Sequence, residues 1–143
     1  MLFRSSYVNL KQADEGFKDS HLVVVSYNGS VLLAGQVPSN ELRNLAPEVV
    51  RMVRNVKRIY NELQVAGNTS PIVRSNDAWI TAKIKTALFA NREVQGYRTK
   101  VVTENGVVYL MGLVSRAEAA RIADVASATY GVQKVVQLFE LFN

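Results

Sequence analysis

The chain has 143 residues, of which 48% are hydrophobic and 20% are charged, and it contains no cysteine. The absence of cysteine excludes disulfides, a thiolate nucleophile and a cysteine metal site. No segment approaches the roughly 18 consecutive apolar residues that a membrane-spanning helix needs. The net charge of +5 is spread over both halves, and it suits an anionic partner, either a lipid headgroup or a nucleic acid.

The sequence repeats itself. Residues 24–37 read VVSYNGSVLLAGQV, and residues 101–114 read VVTENGVVYLMGLV. An Asn-Gly pair and a later glycine fall at matched positions in the two segments. Such a repeat predicts two similar small domains in tandem. We place the first domain at residues 1–66, a linker at 67–76 and the second domain at 77–143.

The second repeat gives the clearer pattern. Asn76 or Ser75 is expected to cap a helix over residues 77–90, with Asp77 favourable at its positive end. Asn105-Gly106 between two apolar runs predicts a hairpin of strands 99–103 and 107–113. Ser115 and Glu118 form a capping box that opens a helix over 116–130, and Gly131 is expected to end it. Residues 132–142 complete the order α-β-β-α-β as a last strand.

The first repeat follows the same order, with strands predicted at 21–27, 30–37 and 56–65. Its first helix must fit within residues 2–14 and is expected to be short. Pro47 should kink or divide its second helix near Ala46. Gly35, like Gly112 in the second repeat, is expected to let the backbone turn into the next helix. The predicted fold class is α+β, with two helices packed on a three-stranded mixed sheet in each domain.

These features resemble the BON domain family. The resemblance is carried by NGSVLLAGQVPSNEL and VKRIYNEL in the first repeat, and by SNDAWITAKIKTAL, VTENGVVYLMGLV and GVQKVVQLF in the second. It covers residues 20–143. Within the family, the chain is most similar to the outer-membrane lipoproteins that carry two BON domains.

The resemblance implies a periplasmic protein that is held at the outer membrane by a lipidated cysteine. It also implies binding to anionic phospholipid, such as phosphatidylglycerol or cardiolipin, in support of envelope integrity. Outer-membrane or division proteins are further expected partners. This chain lacks the lipidated cysteine. We therefore expect that either the anchor lies upstream of Met1 or the chain is not anchored in that way.

One helix, predicted over residues 77–90, has the composition of a membrane-interface helix. Its core face is predicted to carry Ile80, Ile84, Ala87 and Leu88. The face opposite the core carries aromatic residues flanked by basic ones, and this combination is typical of helices that lie in a bilayer surface. The predicted lipid-binding residues are Trp79, Ala82, Lys83, Lys85, Thr86, Phe89 and Arg92. In the alternative interpretation, Trp79 packs on the first domain or on Pro71 or Ile72 in the linker.

The sequence indicates no enzyme, metal site or cofactor. His21 is the only histidine and has no evident serine or cysteine partner, so neither a catalytic triad nor a zinc or haem site can be assembled. Asp14, Glu15 and Asp19 lack the spacing of a calcium loop. RNA binding is disfavoured because no GxxG loop is present, and we expect no nucleic-acid partner. The alternative to lipid binding is a protein-interaction or scaffold module that uses the same surface.

Overall fold

The computed structural model describes residues 2–91 and 99–142. The chain divides into two compact units, Met1–Thr69 (the first unit) and Ser70–Asn143 (the second unit). Both units follow the predicted order α-β-β-α-β, with the last strand of the first unit broken into two, and this order confirms the α+β fold class. The domain boundaries given above, which place residues 67–76 in a linker, stay a prediction.

The first unit is built on a sheet whose central strand, β2, pairs antiparallel with β1 and parallel with β3 and β4. At 12 residues, α1 is shorter than the 20-residue α3 of the second unit, as predicted. A short 3-10 helix, Glu15–Asp19, buries Phe17 completely. The elements in chain order are α1 (Leu2–Ala13), β1 (His21–Tyr27), β2 (Ser30–Val37), α2 (Asn40–Arg51), β3 (Arg58–Asn61) and β4 (Gln64–Val65).

The second unit is built on a three-stranded sheet in the order β5-β6-β7, with β5 antiparallel and β7 parallel to β6. Its core joins the buried face of α3 to alternate residues of β6 and to α4. The residues that form this core recur at helical spacing along α3 and at alternate positions along β6, and this pattern positions α3 across the sheet. The elements are α3 (Pro71–Ala90), β5 (Thr99–Glu104), β6 (Val107–Val114), α4 (Arg116–Ala128) and β7 (Lys134–Leu141).

The two Asn-Gly turns adopt the predicted hairpin geometry. Asn28 and Gly29 have φ values of 50° and 84°, and Asn105 and Gly106 have values of 51° and 80°. Positive φ at both central positions is the requirement of the tight hairpin turn that matches the twist of the strands. The hairpin prediction is confirmed in both units.

Gly35 does not serve the predicted turn into a helix. It lies within β2, opposite Leu22 of β1, and the strand continues to Val37. Its φ is 111°, and a Cβ built there would overlap the carbonyl oxygen of His21. Glycine is therefore required because the backbone of the neighbouring strand occupies the space of a side chain.

Pro47 neither ends nor divides α2, which is continuous from Asn40 to Arg51. Of the two predicted effects, the division is therefore wrong, and the kink stays a prediction. Proline cannot donate to the carbonyl four residues earlier, which belongs to Arg43. That oxygen instead accepts a hydrogen bond from Nδ2 of Asn61 at 2.8 Å. Burial of Ala46 and Val50 on either side of the proline holds the helix on its core.

The last strand of the first unit is broken in two and is not the single strand predicted over residues 56–65. Asn61 ends β3, and Leu63 is buried in the short break before β4. The carbonyl oxygen of Leu63 accepts a hydrogen bond from Nε of Arg43 at 2.8 Å. At the break, Glu62 still donates its backbone N–H to the Leu33 carbonyl of β2 at 2.8 Å, whereas the Leu63 carbonyl is turned to Arg43 of α2. The sheet thus counts four strands rather than three.

Replacing Asn61 with alanine is expected to lower the free energy of unfolding by about 1–2 kcal/mol, because it leaves the Arg43 carbonyl without its donor. In a Pro47→Ala background the loss should be about 1 kcal/mol smaller, since alanine restores the helical donor. Urea unfolding of both single variants and the double variant measures this coupling. Asn44→Ala, on the exposed side of α2, is the matched control and should show no coupling to Pro47→Ala. Additive effects of Asn61→Ala and Pro47→Ala would contradict the assignment of Asn61 as the donor that replaces the hydrogen bond missing at Pro47.

Two helix ends also differ from the predictions. Helix α3 begins at Pro71, six residues before the predicted start, and its cap is Ser70, whose Oγ accepts from the backbone N–H of Val73 at 3.3 Å. A serine cap followed by proline is a common helix start. The capping box of Ser115 and Glu118 is confirmed for α4, but this helix ends at Ala128 rather than at residue 130.

Candidate functional site

The buried face of α3 carries three of the four predicted core residues. Ile80, Ile84 and Leu88 are fully or almost fully buried. Ala87 was predicted to join them, but it is exposed. It lies at the margin of the apolar face on the helical projection, where a small side chain does not reach the sheet.

The opposite face of α3 exposes two large aromatic side chains. Trp79 is 63% exposed and Phe89 is 67% exposed. Of the other predicted lipid-binding residues, Ala82, Lys85 and Thr86 are exposed and Lys83 is half-buried. Arg92 lies outside the described residues. The structure therefore brings six of the seven predicted residues together on one helix, all displaced from its core face.

Ile72 belongs to the same exposed surface and was not predicted to do so. It is 82% exposed and precedes Trp79 by two helical turns, or about 10 Å along the axis. The sequence prediction missed it because it assigned residue 72 to the linker. The alternative packing of Trp79 on Pro71 or Ile72 is wrong, since Trp79 and Ile72 are both exposed on one continuous helix.

A shallow groove of about 340 Å³ lies beside Trp79 on α3. Small side chains leave this space open along the helix, and the indole ring and the stem of Lys83 border it. The groove is therefore mostly apolar. Its lining residues are Trp79, Ala82, Lys83, Thr86, Ala87 and Ala90.

Lys83 contacts the segment that follows α4. Its ammonium group donates a hydrogen bond to the carbonyl oxygen of Tyr130 at 3.1 Å and lies 5.8 Å from the centre of the Tyr130 ring. Tyr130 itself is 90% exposed. The sequence could not indicate this contact, because it joins positions 47 residues apart in the chain.

Asp77 is the only acidic residue of α3, and it is 4% exposed. Its Oδ2 accepts from the backbone N–H of Asn105 at 2.7 Å, and its Oδ1 accepts from that of Gly106 at 3.0 Å. Two charge-assisted hydrogen bonds thus join the first half of the helix to the hairpin turn. The expected role of Asp77 at the helix start is wrong, because the helix begins six residues earlier.

Residues 2–91 and 99–142 contain no group of three or more histidine, aspartate or glutamate side chains that could hold a metal ion. None of the helices in this described part of the chain combines the length and the apolar character needed to cross a bilayer. Independently of these absences, the exposed face of α3 places two large apolar side chains, Trp79 and Phe89, on the helix that also carries Lys83 and Lys85.

Comparison with known proteins assigns the family. The sequence model of the BON domain matches residues 9–67 and 76–141. The chain is 40% identical over 119 residues to the outer membrane lipoprotein DolP of Haemophilus influenzae, which covers 83% of this chain and 62% of that protein. It is 38% identical over 130 residues to the 21 kDa hemolysin of Actinobacillus pleuropneumoniae, covering 91% of this chain and 67% of that protein.

A third relative is the osmotically-inducible protein Y of Escherichia coli, 32% identical over 130 residues, with 89% of this chain and 61% of that protein covered. The chain thus spans about three fifths to two thirds of the length of these three relatives. The similarities support an envelope-associated protein. With two matches in tandem and α-β-β-α-β order in each unit, the chain belongs to the BON domain family, in the two-domain arrangement of the DolP type.

Proposed function

We propose that this protein is a non-enzymatic phospholipid-binding module of the bacterial cell envelope. It contacts anionic phospholipid at the periplasmic face of the outer membrane through the exposed face of α3, and so supports envelope integrity. The observation that carries the proposal is the exposure of Ile72, Trp79 and Phe89 on one helix. Several large apolar groups exposed on one helix are costly in water and mark a contact surface.

The charge of α3 supports an anionic partner. The helix carries Arg74, Lys83 and Lys85, and its single carboxylate, that of Asp77, is buried against the Asn105-Gly106 turn. Its exposed surface therefore presents positive charge alone. Aromatic rings and lysines side by side suit the boundary between headgroups and acyl chains.

The expected affinity is modest. Partial burial of the exposed aromatic side chains contributes about 2–4 kcal/mol. Each lysine near an anionic surface adds about 1 kcal/mol. With two lysines the sum is about 4–6 kcal/mol, which corresponds to a dissociation constant between about 1 mM and about 40 µM and is too weak to retain a protein at a membrane by itself. A second attachment is therefore part of the proposal, and a lipid anchor like that of the lipoprotein relative would provide it.

The second candidate function is a protein-interaction or scaffold module for outer-membrane or division proteins that uses the same surface. The groove beside Trp79 favours this second function, because a concave apolar site can accept a side chain of a protein partner. Contact with a bilayer surface does not require a groove. The two functions differ in whether lipid alone suffices for binding.

Co-sedimentation with vesicles tests the proposal. We expect the protein to sediment with vesicles rich in phosphatidylglycerol or cardiolipin and not with purely zwitterionic vesicles. The fluorescence of Trp79 should shift to the blue on binding, and it reports on α3 alone because the chain has one tryptophan. Binding should weaken as salt is raised. Absence of both sedimentation and a spectral shift would refute lipid binding and favour the protein-interaction function.

A further inference from the structure

Tyr130 is a conspicuous side chain that neither the fold nor the proposed helix surface accounts for. It lies two residues beyond the end of α4 and is 90% exposed, the largest exposure among the large apolar and aromatic side chains of the described residues. Tyrosine combines an apolar ring with a polar hydroxyl, and this combination favours the water–membrane interface.

The backbone around Tyr130 closely approaches α3 at two points. One is the hydrogen bond from the Lys83 ammonium to the Tyr130 carbonyl oxygen, at 3.1 Å. The other is at Gly131, which has a φ of 96° and where a Cβ would lie only 3.2 Å from Cδ1 of Ile80. Ile80 and Lys83 are one helical turn apart. The turn that carries Tyr130 is therefore held along the side of α3.

Lys83 connects Tyr130 with the helix surface. Its side chain lines the groove beside Trp79, and its ammonium group lies 5.8 Å from the centre of the Tyr130 ring. A cation at this distance from an aromatic ring is attracted to the ring face. The two exposed aromatic side chains, Trp79 and Tyr130, thus flank one lysine.

We propose that Tyr130 is a second aromatic contact of the membrane surface formed by α3, and that Lys83 is its positioning residue. Lys85 has no role in holding Tyr130. The lipid-contacting surface then includes residues from two separate parts of the second unit's sequence, α3 and the segment after α4. This inference rests on the function proposed above, and it names a binding residue outside the helix.

The first test compares two substitutions of one side chain. Tyr130→Ala should weaken binding to phosphatidylglycerol vesicles about 5- to 10-fold, because the ring is lost, whereas Tyr130→Phe should bind within about 2-fold of wild type. The exposure of Tyr130 predicts unchanged urea unfolding for both variants. Equal binding of Tyr130→Ala and wild type would overturn the inference.

The second test separates positioning from charge. Lys83→Met and Lys85→Met each remove one positive charge from α3, so they are matched in formal charge. The loss of binding free energy caused by Lys83→Met should not add to that caused by Tyr130→Ala, because both substitutions break the same contact. The loss caused by Lys85→Met should add to that of Tyr130→Ala. Additive losses for Lys83→Met would overturn its positioning role.

The absence of cysteine allows a direct measurement of contact. An environment-sensitive fluorophore on Tyr130→Cys should brighten on binding to phosphatidylglycerol vesicles. The same label on Ala117→Cys, at the other end of α4 and about 20 Å away, is the control and should not respond. Failure of wild type to bind these vesicles would overturn the proposed function and this inference together. Binding by wild type with no response at position 130 would overturn this inference alone.

Discussion

Replacement of Gly35 with alanine is expected to lower the free energy of unfolding of the first unit by about 3 kcal/mol or more. The new Cβ would overlap the His21 carbonyl oxygen of the neighbouring strand, and alanine would have to adopt a φ of 111°. Neither problem is relieved by a side-chain movement, because both involve backbone. Hydrogen exchange measured by mass spectrometry should show the amides of β1 and β2 exchanging roughly 100-fold faster than in wild type.

Gly67→Ala is the matched control. A Cβ at this position meets nothing within 4 Å, so the same chemical change should leave stability unchanged or raise it slightly. If the amides of β1 and β2 were as well protected in Gly35→Ala as in wild type, the two strands would be able to move apart at this point. The close approach of the His21 carbonyl would then not explain the need for glycine.

Trp79→Glu is expected to weaken binding to anionic vesicles about 100-fold while leaving the unfolding transition unchanged. The substitution removes the largest apolar group of the surface and adds a carboxylate that the anionic headgroups repel. The fold should persist because the Trp79 side chain is mostly exposed and the core face of α3 is untouched. Vesicle flotation, which needs no tryptophan signal, gives the affinity, and circular dichroism in urea gives the stability.

Met52→Glu provides the control for this experiment. Met52 is 82% exposed in the first unit, so the substitution also replaces an exposed apolar side chain by a carboxylate and lowers the net charge by one. Its effect on vesicle binding should be within about 2-fold. If Met52→Glu weakened binding as much as Trp79→Glu, the effect would belong to net charge and not to α3. Unfolding of the second unit by Trp79→Glu would instead assign Trp79 to the core.

The parts of the fold that local chemistry determines could be predicted from the sequence. The Asn-Gly turns were predictable because few residue pairs tolerate positive φ at two successive positions. The capping box at Ser115 was predictable because its two hydrogen bonds lie within four residues. The continuity of α2 through Pro47 was not predictable for the opposite reason, since the amide of Asn61 that satisfies the Arg43 carbonyl lies 18 residues from Arg43.

In the candidate site, too, the features set by nearby residues were predictable and those set by distant residues were not. Helical periodicity placed Trp79 and Phe89 away from the core face. Ile72 was missed because the serine and proline that begin α3 are equally common in turns. The contact of Lys83 with Tyr130, on which the proposed role of Tyr130 rests, could not be predicted because only the packing of α4 against α3 brings the two residues together. Ala87 was misplaced because a margin position on a helix is decided by the shape of the neighbouring sheet.

The two hydrogen bonds of Asp77 have a thermodynamic consequence for the surface on the other side of the helix. Many amphipathic segments are disordered in water and fold only on the bilayer, where ordering costs about 1–2 kcal/mol for each residue of backbone. Helix α3 is already formed in solution, since Ile80, Ile84 and Leu88 pack on the sheet and Asp77 secures it to the hairpin. Membrane contact therefore requires no folding step. A few exposed side chains can give measurable affinity because the entropy cost of ordering the helix was already met when the domain folded, and binding does not have to offset it.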